Sequence, residues 1–144
     1  MIRRVNVVIL AGGMGKRMNN PLVPKCATMF LDKPIINHII DTIRLVNIDL
    51  GFRKNYVLPK IITVVGYQKD KILELLPDDV LYAVQEQQLG TGDAMKSCGA
   101  ILDKVSDSED IDIIIPGDMP LISKEMIIGI LNYHVNKGNT FLIL

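Results

Sequence analysis

Residues Leu10-Ala11-Gly12-Gly13-Met14-Gly15-Lys16-Arg17-Met18 set a glycine-rich turn and two cations directly after the apolar run Val5 to Leu10. Glycines remove the side chains that would keep a polyanion away from backbone N–H groups, and Lys16 and Arg17 bring charge for phosphate oxygens. Lys25 follows a little later, after Pro24. Two further polar runs carry chemistry: Gln85-Glu86-Gln87-Gln88-Leu89-Gly90-Thr91-Gly92 and Pro116-Gly117-Asp118-Met119-Pro120. Asp118 is a hard oxygen donor suited to a divalent cation, although Gly-Asp-x-Pro is also good turn chemistry. The run from Gln85 to Gly92 reads equally as a polar loop ahead of a helix.

The glycine turn is not one of two common phosphate loops. A P-loop needs a glycine where Leu10 stands and a Ser or Thr where Arg17 stands. The dinucleotide fingerprint fails as well: counted from Gly13, its last glycine falls on Met18, and counted from Gly12, its middle glycine falls on Met14.

These runs must be positioned by strands. Apolar segments read as strands at Asn6 to Leu10, Ile61 to Gly66, Val80 to Gln85, Ile111 to Ile115 and Thr140 to Leu144. Helical spacing of apolar residues covers Pro34 to Val46, Lys69 to Leu76, Thr91 to Lys104 and Lys124 to Asn136, with Pro34 in a first turn and Ser123 as an N-cap. The stretch from Asn47 to Lys60 reads as an irregular connection and Ser106 to Asp110 as an acidic surface turn. Such alternation predicts a three-layer α/β sandwich with a mostly parallel central sheet. Ligands of these sheets bind at the carboxyl ends of the strands, where all three polar runs fall.

With 144 residues, 49% of them hydrophobic, the chain suffices for one core. A formal net charge of zero gives no bulk attraction to nucleic acid or membrane. Cys26 and Cys98 lack metal-ligand spacing and read as free thiols of a reducing, cytoplasmic compartment. The first apolar run is too short to span a bilayer. His38 and His134 sit among helical residues and read as packing or surface histidines.

Leu10 to Met18 with Pro24-Lys25 resembles the signature of the sugar-phosphate nucleotidyltransferases of MobA-like NTP transferase type, which reads L-A-(A or G)-G-x-G-T-R-M followed by P-K. Gln85 to Met95, and Gly117 to Ser123, further resemble the uridylyltransferase branch that makes UDP-N-acetylglucosamine. Lys16 stands where that family has Thr or Ser. The resemblance implies the Rossmann-like nucleotide-diphospho-sugar transferase fold, with UTP and a sugar-1-phosphate as substrates and Mg2+ as cofactor. It implies that Arg17 and Lys25 are catalytic and that Asp118 holds the metal. Nucleotide contacts would come from Leu10, Ala11, Gly12, Gly13, Gly15, Lys25, Gln85, Gly90 and Thr91. Of these, Gln85, Gly90 and Thr91 match the family's uracil contacts, and Gln88 is a weaker candidate.

Catalytic domains of that family run on past Leu144, so residues 1–144 are expected to be the N-terminal, nucleotide-binding portion of a longer domain. The sugar contacts and a second metal residue would lie beyond it. Little transferase activity is then expected of the 144 residues alone, and an open sheet edge could drive homo-oligomerisation. Two alternatives remain at this level: a nucleotide-binding fragment or pseudoenzyme, and a guanylyl- or cytidylyltransferase of the same fold.

Overall fold

The computed structural model describes residues 3–15, 22–53, 56–58 and 60–137. In chain order the elements are β1 (Arg3–Ala11), a 3-10 turn (Lys25–Ala27), β2 (Met29–Phe30), β3 (Lys33–Pro34), α1 (Ile35–Arg53), β4 (Tyr56–Val57), β5 (Ile61–Val65), α2 (Lys69–Leu73), β6 (Leu81–Val84), α3 (Thr91–Val105), β7 (Ile111–Pro116) and α4 (Lys124–Lys137). The expected strand from Thr140 to Leu144 lies outside the described residues.

Period-2 alternation makes β1 the centre of two apolar layers. Val5, Val7, Ile9 and Ala11 face one side, in a core shared with α1, α2 and α4; Val8 faces the other, with Ala94 and Cys98 of α3. All these β1 residues are at most 1% exposed. Three layers result: three helices, a sheet, and one helix.

Among the described residues the main sheet is parallel throughout. β1 pairs with β7 on one side (Val5 with Ile111 through Leu10 with Pro116) and with β5 (Val7 with Ile61 through Ala11 with Val65), and β5 pairs in turn with β6. β4 pairs with the start of β1, Arg3 with Tyr56, in a register one residue off that of β5. The chain therefore moves outward from β1 to β6 and then returns to the far side of β1 as β7. That reversal opens a crevice at the carboxyl ends of β1 and β7, where open α/β sheets bind ligands.

Three boundaries differ from the sequence reading. The stretch from Asn47 was expected to be irregular, but α1 continues to Arg53. Leu50, four residues after Val46, extends the buried stripe of Ile36, Ile39, Ile40 and Ile43, while the Asn47 Oδ1 accepts the Leu58 N–H at 3.1 Å. Apolar burial outweighs the glycine at position 51. Helix α2 ends at Leu73 rather than Leu76, tightening into bonds from Leu75 N–H to the Ile72 carbonyl and Leu76 N–H to the Leu73 carbonyl ahead of Pro77. Pro34 lies in β3, paired with Met29, one residue before α1. Ser123 does cap α4, its Oγ accepting the Met126 N–H at 3.2 Å.

Removing buried volume at the sheet centre should therefore cost far more than trimming a surface side chain. Ile9→Ala, at a position with 0% exposure, should lower the unfolding free energy by about 2–5 kcal/mol in a denaturant titration. Tyr133→Ala, at an exposed position, should change it by about 0.5 kcal/mol or less.

Candidate functional site

Three of the carboxyl strand ends converge on one cleft of about 470 Å³. Its wall includes Leu10, Gly12, Gly13 and Gly15 after β1, Gln85, Gln88, Gly90 and Thr91 after β6, and Pro116, Gly117 and Asp118 at the end of β7, with Lys25 and Cys26 across from them. The three polar runs singled out in the sequence thus share one space. Arg17 and Lys16 lie outside the described residues.

Each glycine here has its own reason. Gly15 has φ +59°, a left-handed conformation that side chains resist, and a Cβ on it would sit 3.1 Å from the Lys25 Cβ. Gly12 is crowded instead: a Cβ there would lie 2.7 Å from Gln85 Oε1. Gly13 has nothing within 4 Å, so the space above it is open. Among the described residues, none of the hydrogen bonds takes the N–H of Gly12, Gly13, Met14 or Gly15, while the Gly12 carbonyl accepts the Tyr67 N–H at 3.2 Å. Gly12, Gly13 and Gly15 thus line the cleft with backbone whose N–H groups make no bond among the described residues, the kind of surface that suits an anion.

Lys25 and Asp118 form an ion pair through Nζ and Oδ2, both side chains a little over one third exposed. The Lys25 backbone opens the 3-10 turn that places Cys26 against the β7 end. Burial, followed by the negative charge of Asp118, pushes the Cys26 thiol up from 9.0 to about 12. It remains a thiol at neutral pH and is a packing group, not a nucleophile. Cys98 is likewise free and pushed upward by burial.

Gln85 is 5% exposed, held by Nε2 donating to Asp93 Oδ2 at 2.8 Å and to the Gly90 carbonyl at 3.3 Å. Gly90 takes φ +107° and precedes the first turn of α3, which has no side-chain cap. Ala11 is buried beneath the turn with 1% exposure, and its side chain faces the core. His38, as expected, serves packing: Nε2 bonds the Phe30 carbonyl at 2.6 Å and the two rings meet edge to face.

Two contributors escaped the sequence reading. Gly66, at the carboxyl end of β5, would with a Cβ meet the Gly12 carbonyl at 2.9 Å and Gln88 Nε2 at 3.0 Å. Its position after a strand, beside the glycine turn, was the available signal. Asp93 stood in the sequence only as an unassigned position within the stretch Gln85 to Met95, and nothing but its contact with Gln85 marks it.

Among the described residues no cluster of three or more His, Cys, Asp or Glu could hold a metal by itself. The single carboxylate of Asp118, a little over one third exposed and bordering the cleft, fits a divalent cation that takes most of its shell from water and phosphate oxygens.

The pattern described as the MobA-like NTP transferase domain matches residues 7–144. The chain belongs to that family. It is 34% identical over 139 residues to the bifunctional protein GlmU of Pediococcus pentosaceus, covering 96% of this chain but 27% of that protein. The chain thus spans about a quarter of the length of the curated relatives it matches. Among solved structures it is similar to Rv0371c of Mycobacterium tuberculosis H37Rv (TM-score 0.63, 15% identity, 96% of this chain and 62% of that one), which has also been solved in complex with manganese. A UDP-glucose pyrophosphorylase from Acinetobacter baumanii (TM-score 0.60, 18% identity, 82% and 46% covered) is similar as well. So is a 4-diphosphocytidyl-2C-methyl-D-erythritol synthase from Anaerococcus prevotii (TM-score 0.59, 17% identity, 91% and 51% covered). At those identities they establish the shared fold of this NTP transferase family and nothing finer.

Two outcomes follow from the geometry. Gly117→Ala would set a Cβ 2.5 Å from the Leu10 carbonyl and should lose about 2 kcal/mol or more of stability, whereas Gly13→Ala should melt like the parent. Thermal denaturation of both variants compares them. The raised Cys26 pKa means that the unfolded chain releases its proton first, so unfolding stability should fall as pH rises from about 9 towards 12. Cys26→Ala should flatten that slope in denaturant titrations at several pH values.

Proposed function

We propose that this NTP transferase domain carries the nucleotide-binding half of a uridylyltransferase, transferring UMP from UTP to N-acetylglucosamine-1-phosphate with release of pyrophosphate. The observation that carries the reading is the convergence of the bare Gly12–Gly15 amides, Lys25, Asp118 and the Gln85–Thr91 run on one cleft at the β1/β7 reversal. The 34% identity to GlmU over nearly the whole chain points the same way.

In this reaction an oxygen of the sugar-1-phosphate attacks the α-phosphorus in line, a new P–O bond forms, and the bond to the departing pyrophosphate breaks. Two polyanions must be brought together, so the task of the protein is chiefly positive potential and alignment. The Gly12–Gly15 amides would hold the triphosphate, and the open space over Gly13 lets its oxygens approach the backbone. Lys25 would leave Asp118 for the reacting phosphates, and Arg17 would bind the leaving pyrophosphate. Asp118 would hold Mg2+, which when bound neutralises phosphate charge and polarises the α-phosphorus. Gln85, Gly90 and Thr91 would read the base. Free thiols accord with action in the cytoplasm.

Titration calorimetry with UTP and Mg2+ tests the site directly. Arg17→Ala and Lys25→Ala should each weaken UTP about tenfold or more, and Asp118→Asn should remove most of the magnesium dependence of binding. With N-acetylglucosamine-1-phosphate as acceptor, the same variants of a protein that turns over should lose about a hundredfold in pyrophosphate release. Unaltered UTP binding by all three variants would place the nucleotide elsewhere.

A further inference from the structure

The amide of Gln85 is tied into the fold at one end. Its Nε2 donates to Asp93 Oδ2 at 2.8 Å and to the Gly90 carbonyl at 3.3 Å, in a side chain 5% exposed. A carboxylate and a peptide carbonyl can only accept. Turning the amide over would set Oε1 against two oxygens with no proton between them, a buried mismatch that the fold avoids. Gln85 therefore has one stable orientation. Both of its N–H bonds go to protein, and Oε1 is the polar atom left for a ligand. That oxygen lies over Gly12, close enough that any Cβ there would collide with it, and both residues line the cleft.

We propose that Asp93 is a positioning residue that locks Gln85 as a pure hydrogen-bond acceptor, so that the cleft selects a nucleobase with a ring N–H at its reading edge. The inference rests on the uridylyltransferase reading of the same cleft and adds how the base is chosen. Uracil carries a proton on N3 and satisfies Oε1; cytosine has a lone pair on N3, which would face the Oε1 lone pairs across a desolvated gap. An unrestrained glutamine amide could turn over to suit either base. Discrimination thus depends on the residue that holds the amide as much as on the amide itself. Position 93 is the third residue of α3, in its first turn, where a carboxylate is also favoured by the helix N-terminus.

The test is calorimetry on the full 144-residue chain with UTP, CTP and GTP in the presence of Mg2+. The parent protein should favour UTP over CTP by about tenfold or more, and Asp93→Ala should bring that ratio within about threefold by letting the amide turn. Asp93→Asn, whose Oδ1 can accept the same N–H, should retain the preference. Should the alanine variant not fold, Asp93→Ser, which keeps a polar group in the first turn of α3 but is too short to hold Gln85, gives the same readout. A UTP to CTP ratio unchanged in Asp93→Ala or Asp93→Ser overturns the lock and leaves the uridylyltransferase reading standing. A parent that binds GTP more tightly than UTP, with a preference over CTP that Asp93→Ala abolishes, overturns that reading and upholds the lock. Equal affinity of the parent for UTP and CTP, or no binding of either, overturns both.

Discussion

The site depends on how closely the carboxyl ends of β1 and β7 approach each other. The Gly117 N–H donates to the Leu10 carbonyl at 2.8 Å, and a Cβ at position 117 would lie 2.5 Å from that oxygen and 2.8 Å from Cys26 Sγ. This bond carries the parallel pairing one residue past Pro116, where β7 ends. Asp118 then emerges beside the turn that leaves β1. A side chain at 117 would force the strand ends apart and carry Asp118 away from Lys25, because backbone atoms, unlike the tip of a flexible side chain, cannot step aside.

Around that closure the cleft is assembled from backbone as much as from side chains. Gly12, Gly66 and the β6 end are pressed together: the Gln85 N–H donates to the Val65 carbonyl at 2.7 Å, and Gly12 and Gly66 leave no room for a Cβ. The outcome is a cleft wall made at Gly12, Gly13, Gly15, Gly90 and Gly117 by backbone without side chains, beside the amide of Gln85. Its charge is balanced, since Lys25 and Asp118 neutralise each other across the opening. Such a pair is easily exchanged, because partly exposed ion pairs are worth little in water, and in the proposed reaction both groups would find stronger partners in a phosphate and a metal ion.

Cys26 is a packing group of the cleft wall. It lies beside Asp118, yet burial keeps it protonated, and its sulfur fills the space left by the missing side chain of Gly117. Its place in the cleft wall reflects packing between the 3-10 turn and β7. Among the described residues, helices α1, α2 and α4 pack on one face of the sheet and α3 on the other.

What the sequence determined by itself was the alternation of strands and helices and the place of three polar runs within it. The glycines from Gly12 to Gly15, the strand-helix alternation and the Gly-Asp-x-Pro turn are local features, each set by residue type and short spacing, and the structure places Gly12 to Gly15, Gln85 and Asp118 at strand ends as read. Helix α1 runs past the expected end at Val46 because Leu50 is buried, which outweighs the low helix propensity of the glycine at 51. Only tertiary structure decided which strands are neighbours, and with that the meeting of Gly12, Gln85 and Gly117, residues far apart in the chain. Gly66 was marked in the sequence only by its place after a strand and Asp93 by nothing, because a glycine at a close approach and a carboxylate bonded to a side-chain amide are defined by contacts across the fold.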